Sequence, residues 1–307
     1  MNTRAASFVA RNRCPCCCSP DLVDKFNFDG IRTAICRDCG FMFTRDVRLA
    51  ADLRRHYVTG YDDKRQIDGQ RVNATVNHQL LRKFEVNLFG KSVLDVGSGY
   101  GCFLSDARKA GAQRAVGVEL SDAERKYSTH QHNLEVYSNI RDIKEDTQFD
   151  IITMFEVIEH IAEPGEFTQM TTKYLKTGGS LIIGTDNFES RVVSVLGDRF
   201  PKWIPHEHIS LFTPESLCAM IDRLAGLKIV GLSSFTPWEL LAREILFKAT
   251  NGTLGGKQFS LQAEEAQGGD RHYRYFVLRR LVNSAWFALT NQPNADGAMM
   301  FVHAIKA

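Results

Sequence analysis

The chain predicts an α/β fold: a mostly parallel, doubly wound sheet of seven strands, preceded by a small N-terminal metal-binding module. Three observations carry this expectation. From residue 91 onward, short apolar runs alternate with segments of helical length, the pattern of successive β-α units. The first strand-to-helix turn is glycine-rich, DVGSGYG (95–101), a loop through which backbone amides can approach a ligand closely. Six of the eight cysteines lie among the first forty residues, and four of them form two C-x-x-C pairs.

In order, the strand candidates are the apolar run of KSVLDV from residue 91, then RAVGVEL (114–120) and EVYSN. FDIITMF (149–155), GGSLIIGTDN (178–187), KIVGLSSF (228–235) and AMMFVHAIK (298–306) follow. The segments between the earlier runs are helical in length, and LFTPESL carries a helix-capping signal. In a sheet wound this way, a ligand sits beyond the carboxyl ends of the strands, near the point where strand order reverses.

With 307 residues, 44% of them apolar and 10% aromatic, the chain can bury a large core. A formal charge of +2 gives no argument for a polyanionic partner. The first residues lack the apolar centre of a signal peptide, and no apolar stretch reaches the roughly 18–20 residues a bilayer span needs. A cytoplasmic protein is therefore expected.

The cysteine head reads CPCCCSP (14–20) and then CRDCGFMF (36–43). Cys14 with Cys17, and Cys36 with Cys39, can each clamp one side of a tetrahedral ion, and Gly40 supplies the turn after the second knuckle. Cys16 and Cys18 compete as ligands, but the x-x spacing favours Cys14 and Cys17. Four thiolates suit a structural Zn²⁺, and a segment so poor in aliphatic residues would draw most of its folding energy from the metal. A redox pair and spare thiols without a ligand role are the other readings of these cysteines.

The glycine loop points to a class of ligand. Asp95 ends the first strand, Gly97, Gly99 and Gly101 follow, and Glu119 ends the second strand, where a carboxylate can accept both hydroxyls of a ribose. A nicotinamide fingerprint would space its glycines differently, and Asp95 would repel a pyrophosphate. An adenosine carrying an amino acid satisfies both carboxylates.

VLDVGSGYG, GVEL, FDIITMFEVIEHI and LKTGGSLIIGT, in this order, resemble class I S-adenosylmethionine-dependent methyltransferases, whose sheet is Rossmann-like. The resemblance spans residues 91–236. It implies that Gly97, Gly99 and Gly101 line the methionine portion of the cofactor beside Asp95, and that Glu119 holds the ribose. It further implies that Asn139 and Ile140 lie against the adenine and that Phe155 sits under the sulfonium. Asn139 stands where relatives often carry Asp. Together with the CxxC…CxxC head, the chain looks like a bacterial subgroup that methylates small molecules and sugars.

EVIEH (156–160) follows the fourth strand, where methyl transfer would occur. If it opens a helix, Glu156, Glu159 and His160 face one way. A second cluster, KWIPHEHISLFTPESL (202–217), contains His206 and His208. Some relatives that methylate hydroxyls use an ExxEH start and a later histidine to bind a divalent ion. By that resemblance Glu156, Glu159, His160 and His208 would hold Mg²⁺, Mn²⁺ or Zn²⁺. A metal-free acid/base role for His160 or His208, and a purely structural use of the carboxylates at a helix start, are the alternatives.

The expected organisation is a zinc module over 1–45, a helical linker or lid over 46–90, and the catalytic domain over 91–307, with 237–290 inserted before the last strand. Tyr57 and Tyr61 are candidates for the pocket wall or for ordinary packing. The segment 273–289 mixes basic and bulky apolar residues and suits core packing, a pocket cover or peripheral membrane contact. The leading function is methylation of a small-molecule hydroxyl on a metabolite, sugar or glycan precursor. C-methylation of a nucleotide-linked keto sugar, RNA methylation, and a partner-recognition module that has lost catalysis are the other readings.

Overall fold

The computed structural model describes residues 8–49, 52, 55, 57, 58, 66–256 and 276–307. Tyr61 therefore lies outside the described residues, as do residues 257–275 of the segment expected to be an insertion. Among the described residues, no helix is long and apolar enough to cross a membrane.

Five short strands open the chain: β1 (Phe8–Ala10), β2 (Leu22–Phe28), β3 (Ile31–Cys36), β4 (Met42–Thr44) and β5 (Asp46–Arg48). Helix α1 (Gln66–Lys83) follows. The main domain then alternates β6 (Ser92–Val96), α2 (Cys102–Lys109), β7 (Arg114–Val118), α3 (Asp122–His132), β8 (Glu135–Tyr137) and β9 (Phe149–Phe155). After these come α4 (Pro164–Thr172), β10 (Leu175–Asp186), α5 (Arg191–Leu196), β11 (Ser210–Leu211), α6 (Pro214–Asp222) and β12 (Leu227–Phe235). Helices α7 (Trp238–Ala249) and α8 (Phe276–Thr290) precede β13 (Met299–Lys306).

All seven strands expected from residue 91 onward form, and they assemble in the order β12-β13-β10-β9-β6-β7-β8. The pairs from β10 to β8 are parallel, while β13 runs antiparallel between β10 and β12. Strand order reverses beside β6, so a crevice opens beyond the carboxyl ends of β6 and β9. The central strands read as unbroken apolar runs because both faces are covered. Alternate residues serve opposite faces. Val93, Ile151, Ile182 and Phe301 pack beneath α1, α2 and Phe287 of α8. Leu94, Ile152, Leu181 and Val302 pack on the other side with Leu217, Met220 and Ile221 of α6.

That second face also takes in the cysteine module: Cys14, Ala34, Cys36, Phe41 and Phe43 belong to the same buried cluster as the sheet. The module is a four-stranded antiparallel sheet in the order β11-β4-β3-β2, and β11 is contributed by the chain between β10 and α6. Helix α6 starts as its sequence suggests, with Thr213 and Ser216 forming a reciprocal cap and Pro214 in the first turn. Helix α8 presents Phe287 to Phe235, 5.0 Å between ring centroids, and turns Leu281 and Leu289 to the surface.

Candidate active site

A cavity of about 780 Å³ occupies the crevice. Its floor is the glycine loop. Gly97 and Gly99 adopt φ of 75° and 52°, a left-handed backbone that bulkier residues resist. A side chain at Gly97 would strike Val157, and one at Gly99 would strike Gln70. Asp95, Gly97, Gly99, Glu119, Asn139, Ile140 and Phe155 all line the cavity. Gly101 does not line it: this residue sits at the N-terminus of α2, where a Cβ would meet Leu134 and Ser128 of the neighbouring α3 layer.

Asp95 is buried and accepts a hydrogen bond of 2.6 Å from the Thr153 hydroxyl. Burial nevertheless pushes its carboxyl up to about 7, with the Glu119 charge adding to the effect. Glu119 is held at the end of β7 by two backbone amides, those of Gly99 (2.9 Å) and Ser121 (2.8 Å), one on each oxygen. Each oxygen keeps a lone pair for a further donor. Asn139 spends its side-chain oxygen on the amide of Arg141, capping a turn at the cavity edge.

Helix α1 roofs the cavity, and its polar residues were not legible as ligands. Gln70 accepts from the Tyr100 amide (2.7 Å) and donates to Glu124 (2.8 Å), tying the roof to the glycine loop. Asn73 and Asn77 also line the space.

At the far end lies EVIEH, and here the backbone departs from the expected helix. Glu156 takes a left-handed φ of 55°, a single 3₁₀ turn spans Ile158–His160, and regular α-helix begins only at Pro164. A non-glycine residue in this region of φ/ψ is strained and must be held by its surroundings. The holder is Lys202, whose ammonium lies 3.0 Å from Glu156 Oε1, while Asn73 donates to Oε2 at 3.0 Å. The Glu156 carboxylate is thus engaged by Lys202 and Asn73 and, although it lines the same cavity, lies outside the group of clustered ligand atoms. Glu159, His160 and His208 each bring one ligand atom within 4.8 Å of the others.

This trio suits a cation. Glu159 is fully buried; Thr185 donates to one oxygen at 2.9 Å and the other lacks a hydrogen bond. Burial and the charges of Asp186 and Glu156 push its carboxyl up to about 8. Asp186, also fully buried, lies 3.7 Å from His208 Nδ1 and 3.6 Å from Lys202 Nζ, and neither of its oxygens has a hydrogen bond. Burial lowers the pKa of both His160 and His208, so both imidazoles are neutral and can donate a lone pair. His160 Nδ1 lies 2.8 Å from the Tyr57 hydroxyl and 3.1 Å from the Glu207 carbonyl. A carbonyl only accepts, so Nδ1 carries the proton and Nε2 keeps its lone pair.

Beneath the main sheet, the sulfurs of Cys14 and Cys39 are 3.6 Å apart and those of Cys17 and Cys36 are 3.5 Å apart. All four lie within 4.8 Å of one another, close to the edges of about 3.8 Å that a tetrahedron of 2.3 Å Zn–S bonds requires. The cluster can chelate a metal. Cys16 is outside it, receiving a contact of 3.2 Å from Arg223, and Cys18 is exposed.

The methyltransferase-domain family model matches residues 66–232, more than half of the chain. The chain belongs to this methyltransferase family. The stretch that carries the match includes the whole glycine loop, EVIEH and His208. A ubiquinone biosynthesis O-methyltransferase of Idiomarina loihiensis is 30% identical over 154 residues, 45% of this chain and 62% of that protein. The Vibrio atlanticus enzyme of the same name is 30% identical over 178 residues, 52% of this chain and 74% of the relative. Among solved structures, a methyltransferase from Thermotoga maritima, described as a possible histamine N-methyltransferase, superposes with a TM-score of 0.52 at 15% identity. It covers 83% of this chain and 99% of its own. That likeness is one of fold.

Proposed function

We propose that the protein transfers a methyl group from S-adenosylmethionine to a hydroxyl of a small-molecule acceptor. The observation that carries the reading is the pairing, in one cavity, of a buried Asp95 with no cationic partner among the described residues and a Glu119 preset by two amides. Asp95 matches the ammonium end of an amino acid and Glu119 matches ribose hydroxyls, with Ile140 and Asn139 bracketing the adenine end. The cofactor supplies an activated methyl on its sulfonium, and the protein has to align the acceptor in line with it. Phe155, packed against Phe103 at 5.3 Å between ring centroids, lines the cavity beside the EVIEH turn.

A hydroxyl acceptor must lose its proton as the new bond forms. In a metal-free site His160 would take it at Nε2, because Tyr57 and the Glu207 carbonyl occupy Nδ1; with an ion bound, that lone pair is a ligand and the proton passes to solvent. Glu159, His160 and His208 would hold a divalent ion, which would lower the pKa of an acceptor hydroxyl bound to it. The orphaned oxygen of Glu159 and the neutral histidines favour this metal-assisted form. The relatives in ubiquinone biosynthesis, O-methyltransferases by name, make a hydroxylated metabolite the preferred acceptor class over a sugar or glycan precursor. The four-cysteine cluster would hold a structural zinc.

The test has two arms. Calorimetry with S-adenosylhomocysteine is expected to give one site per chain, lost in Asp95→Ala and Glu119→Ala. A screen of hydroxylated acceptors with labelled cofactor, run with and without a chelator, should show turnover that falls on chelation and in Glu159→Ala and His208→Ala. Full activity in both variants would eliminate the divalent site. No binding of the cofactor product would reject the methyltransferase reading outright.

A further inference from the structure

The cysteine module is wired into the wall of the active site. Immediately after the knuckle closed by Cys39, the chain runs through Phe41 into β4, and β4 pairs with β11 in register Phe43–Ser210 and Met42–Leu211. At the end of β4, Thr44 is fully buried and makes two contacts to the segment that bears His208. Its amide donates to the Ile209 carbonyl at 3.0 Å, and its hydroxyl donates to the His208 carbonyl at 3.1 Å. On the other side, the Ile209 amide donates to the Glu159 carbonyl at 2.8 Å, and the Ser210 hydroxyl donates to the Ile161 carbonyl at 2.7 Å. The 204–211 segment is therefore laced to the cysteine module on one edge and to the EVIEH turn on the other.

A second contact reinforces the first. Phe26 and Phe28 of β2 pack on Trp203, at 5.1 and 5.5 Å between ring centroids, and Trp203 is the neighbour of the Lys202 that holds Glu156. The 200–211 stretch contains little regular structure of its own, with only the two residues of β11 in a strand. Turns within the stretch, among them the His208 amide donating to the Ile204 carbonyl at 2.7 Å, shape it locally, and the outside partners tie it to the module and to the EVIEH turn.

We propose that Thr44 is a positioning residue, through which the cysteine module fixes the backbone of His208 and its register against Glu159. The module then serves as one wall of the catalytic cavity, and an intact cysteine centre is a condition for bringing Glu159, His160 and His208 together. The part His208 plays in methyl transfer rests on the function proposed above; the coupling through Thr44 does not.

The experiment compares Thr44→Val and Thr44→Ser in the full chain at unchanged zinc content. The readouts are amide hydrogen exchange and the imidazole ¹³Cε1 resonances. Valine keeps the shape and removes the hydroxyl donor. Exchange over 207–211 should rise about tenfold, while the 95–101 loop keeps its protection. The His208 and His160 resonances should shift, and those of His78 and His303, away from the module, should not. Thr44→Ser should restore both readouts. Unchanged exchange and an unmoved His208 signal in Thr44→Val would overturn the proposal, as would loosening of 95–101 to the same extent without rescue by serine.

If Thr44→Val does not fold, metal extraction from the wild-type chain replaces it. Residues 207–211 must then lose protection together with 31–44 while 95–101 keeps its own, and retained protection at 207–211 rejects the coupling. Binding of S-adenosylhomocysteine, measured alongside, separates the two claims. Its absence from the wild-type protein counts against methyl transfer, and the exchange result still decides the role of Thr44.

Discussion

At the scale of single residues, the site is governed by carboxylates that burial keeps short of partners. Asp95 titrates near 7 in the folded protein because its charge is desolvated. A ligand with a positive charge prefers the ionised form, so affinity for S-adenosylmethionine should climb from pH 5.5 and level off above about 7. Calorimetry across that range checks it, and Asp95→Asn should bind weakly with a flat profile. The free protein should behave in the opposite sense. The unfolded chain releases this proton at the ordinary carboxyl value and the folded chain only near 7, so Asp95 costs stability increasingly as pH rises through that interval. Lys202 is the counterweight to two other acids, Glu156 and Asp186. Thermal unfolding of Lys202→Met should show a loss of about 2 kcal/mol, below the ~3–5 kcal/mol of a fully buried pair because Lys202 stays partly in water. Adding Asp186→Asn should recover part of it.

At the scale of elements, two glycines of one loop do different work. Gly97 sits where a Cβ would collide with Val157 and where φ is left-handed, at the cavity floor. Gly101 sits at the start of α2 against Leu134 and Ser128, away from the cavity. Gly97→Ala should therefore abolish binding of S-adenosylhomocysteine. Gly101→Ala should bind it within a few-fold of wild type and lose roughly 1–3 kcal/mol on unfolding, from overpacking together with its own left-handed φ of 74°. The motif alone treats the three glycines as one unit. Only the packing of α3 against the loop separates them. The turn at EVIEH is a similar case. A spacing of three and four residues suggests one helical face, but the left-handed Glu156 breaks that face, and its side chain is claimed by Lys202 from a distant segment.

At the scale of the whole molecule, the cysteine module and the seven-stranded sheet share one buried cluster, and the chain between β10 and α6 adds β11 to the module's own sheet. A Cys36→Ser/Cys39→Ser chain should lose its zinc, about one ion per chain in the parent, as metal analysis of the purified protein would report. It should also lose cooperative unfolding of the module and the 200–211 stretch together. Retention of full zinc in that variant would reject the four-thiolate site.

Local patterns carried much of this molecule. Apolar runs of strand length, glycines at the first turn, carboxylates at two strand ends and the doubled C-x-x-C each act over a few residues. Such features determine local structure and chemistry wherever the chain places them, which is why all seven strands and the four clustered thiols were legible. Lys202, Gln70, Asp186, Thr44 and the Glu207 carbonyl belong to no motif. Each acquires its role from a partner far away in the chain: Gln70 from the Tyr100 amide, Lys202 from Glu156, Thr44 from His208. A hydrogen bond or ion pair is decided by where two groups end up in space, and residue type alone does not encode that meeting. By itself, then, the sequence determined the sheet, the ligand class and the thiolate cluster. The tertiary structure decided which of the expected acids clusters with His160 and His208, because only folding sets β11 beside β4 and Lys202 beside Glu156.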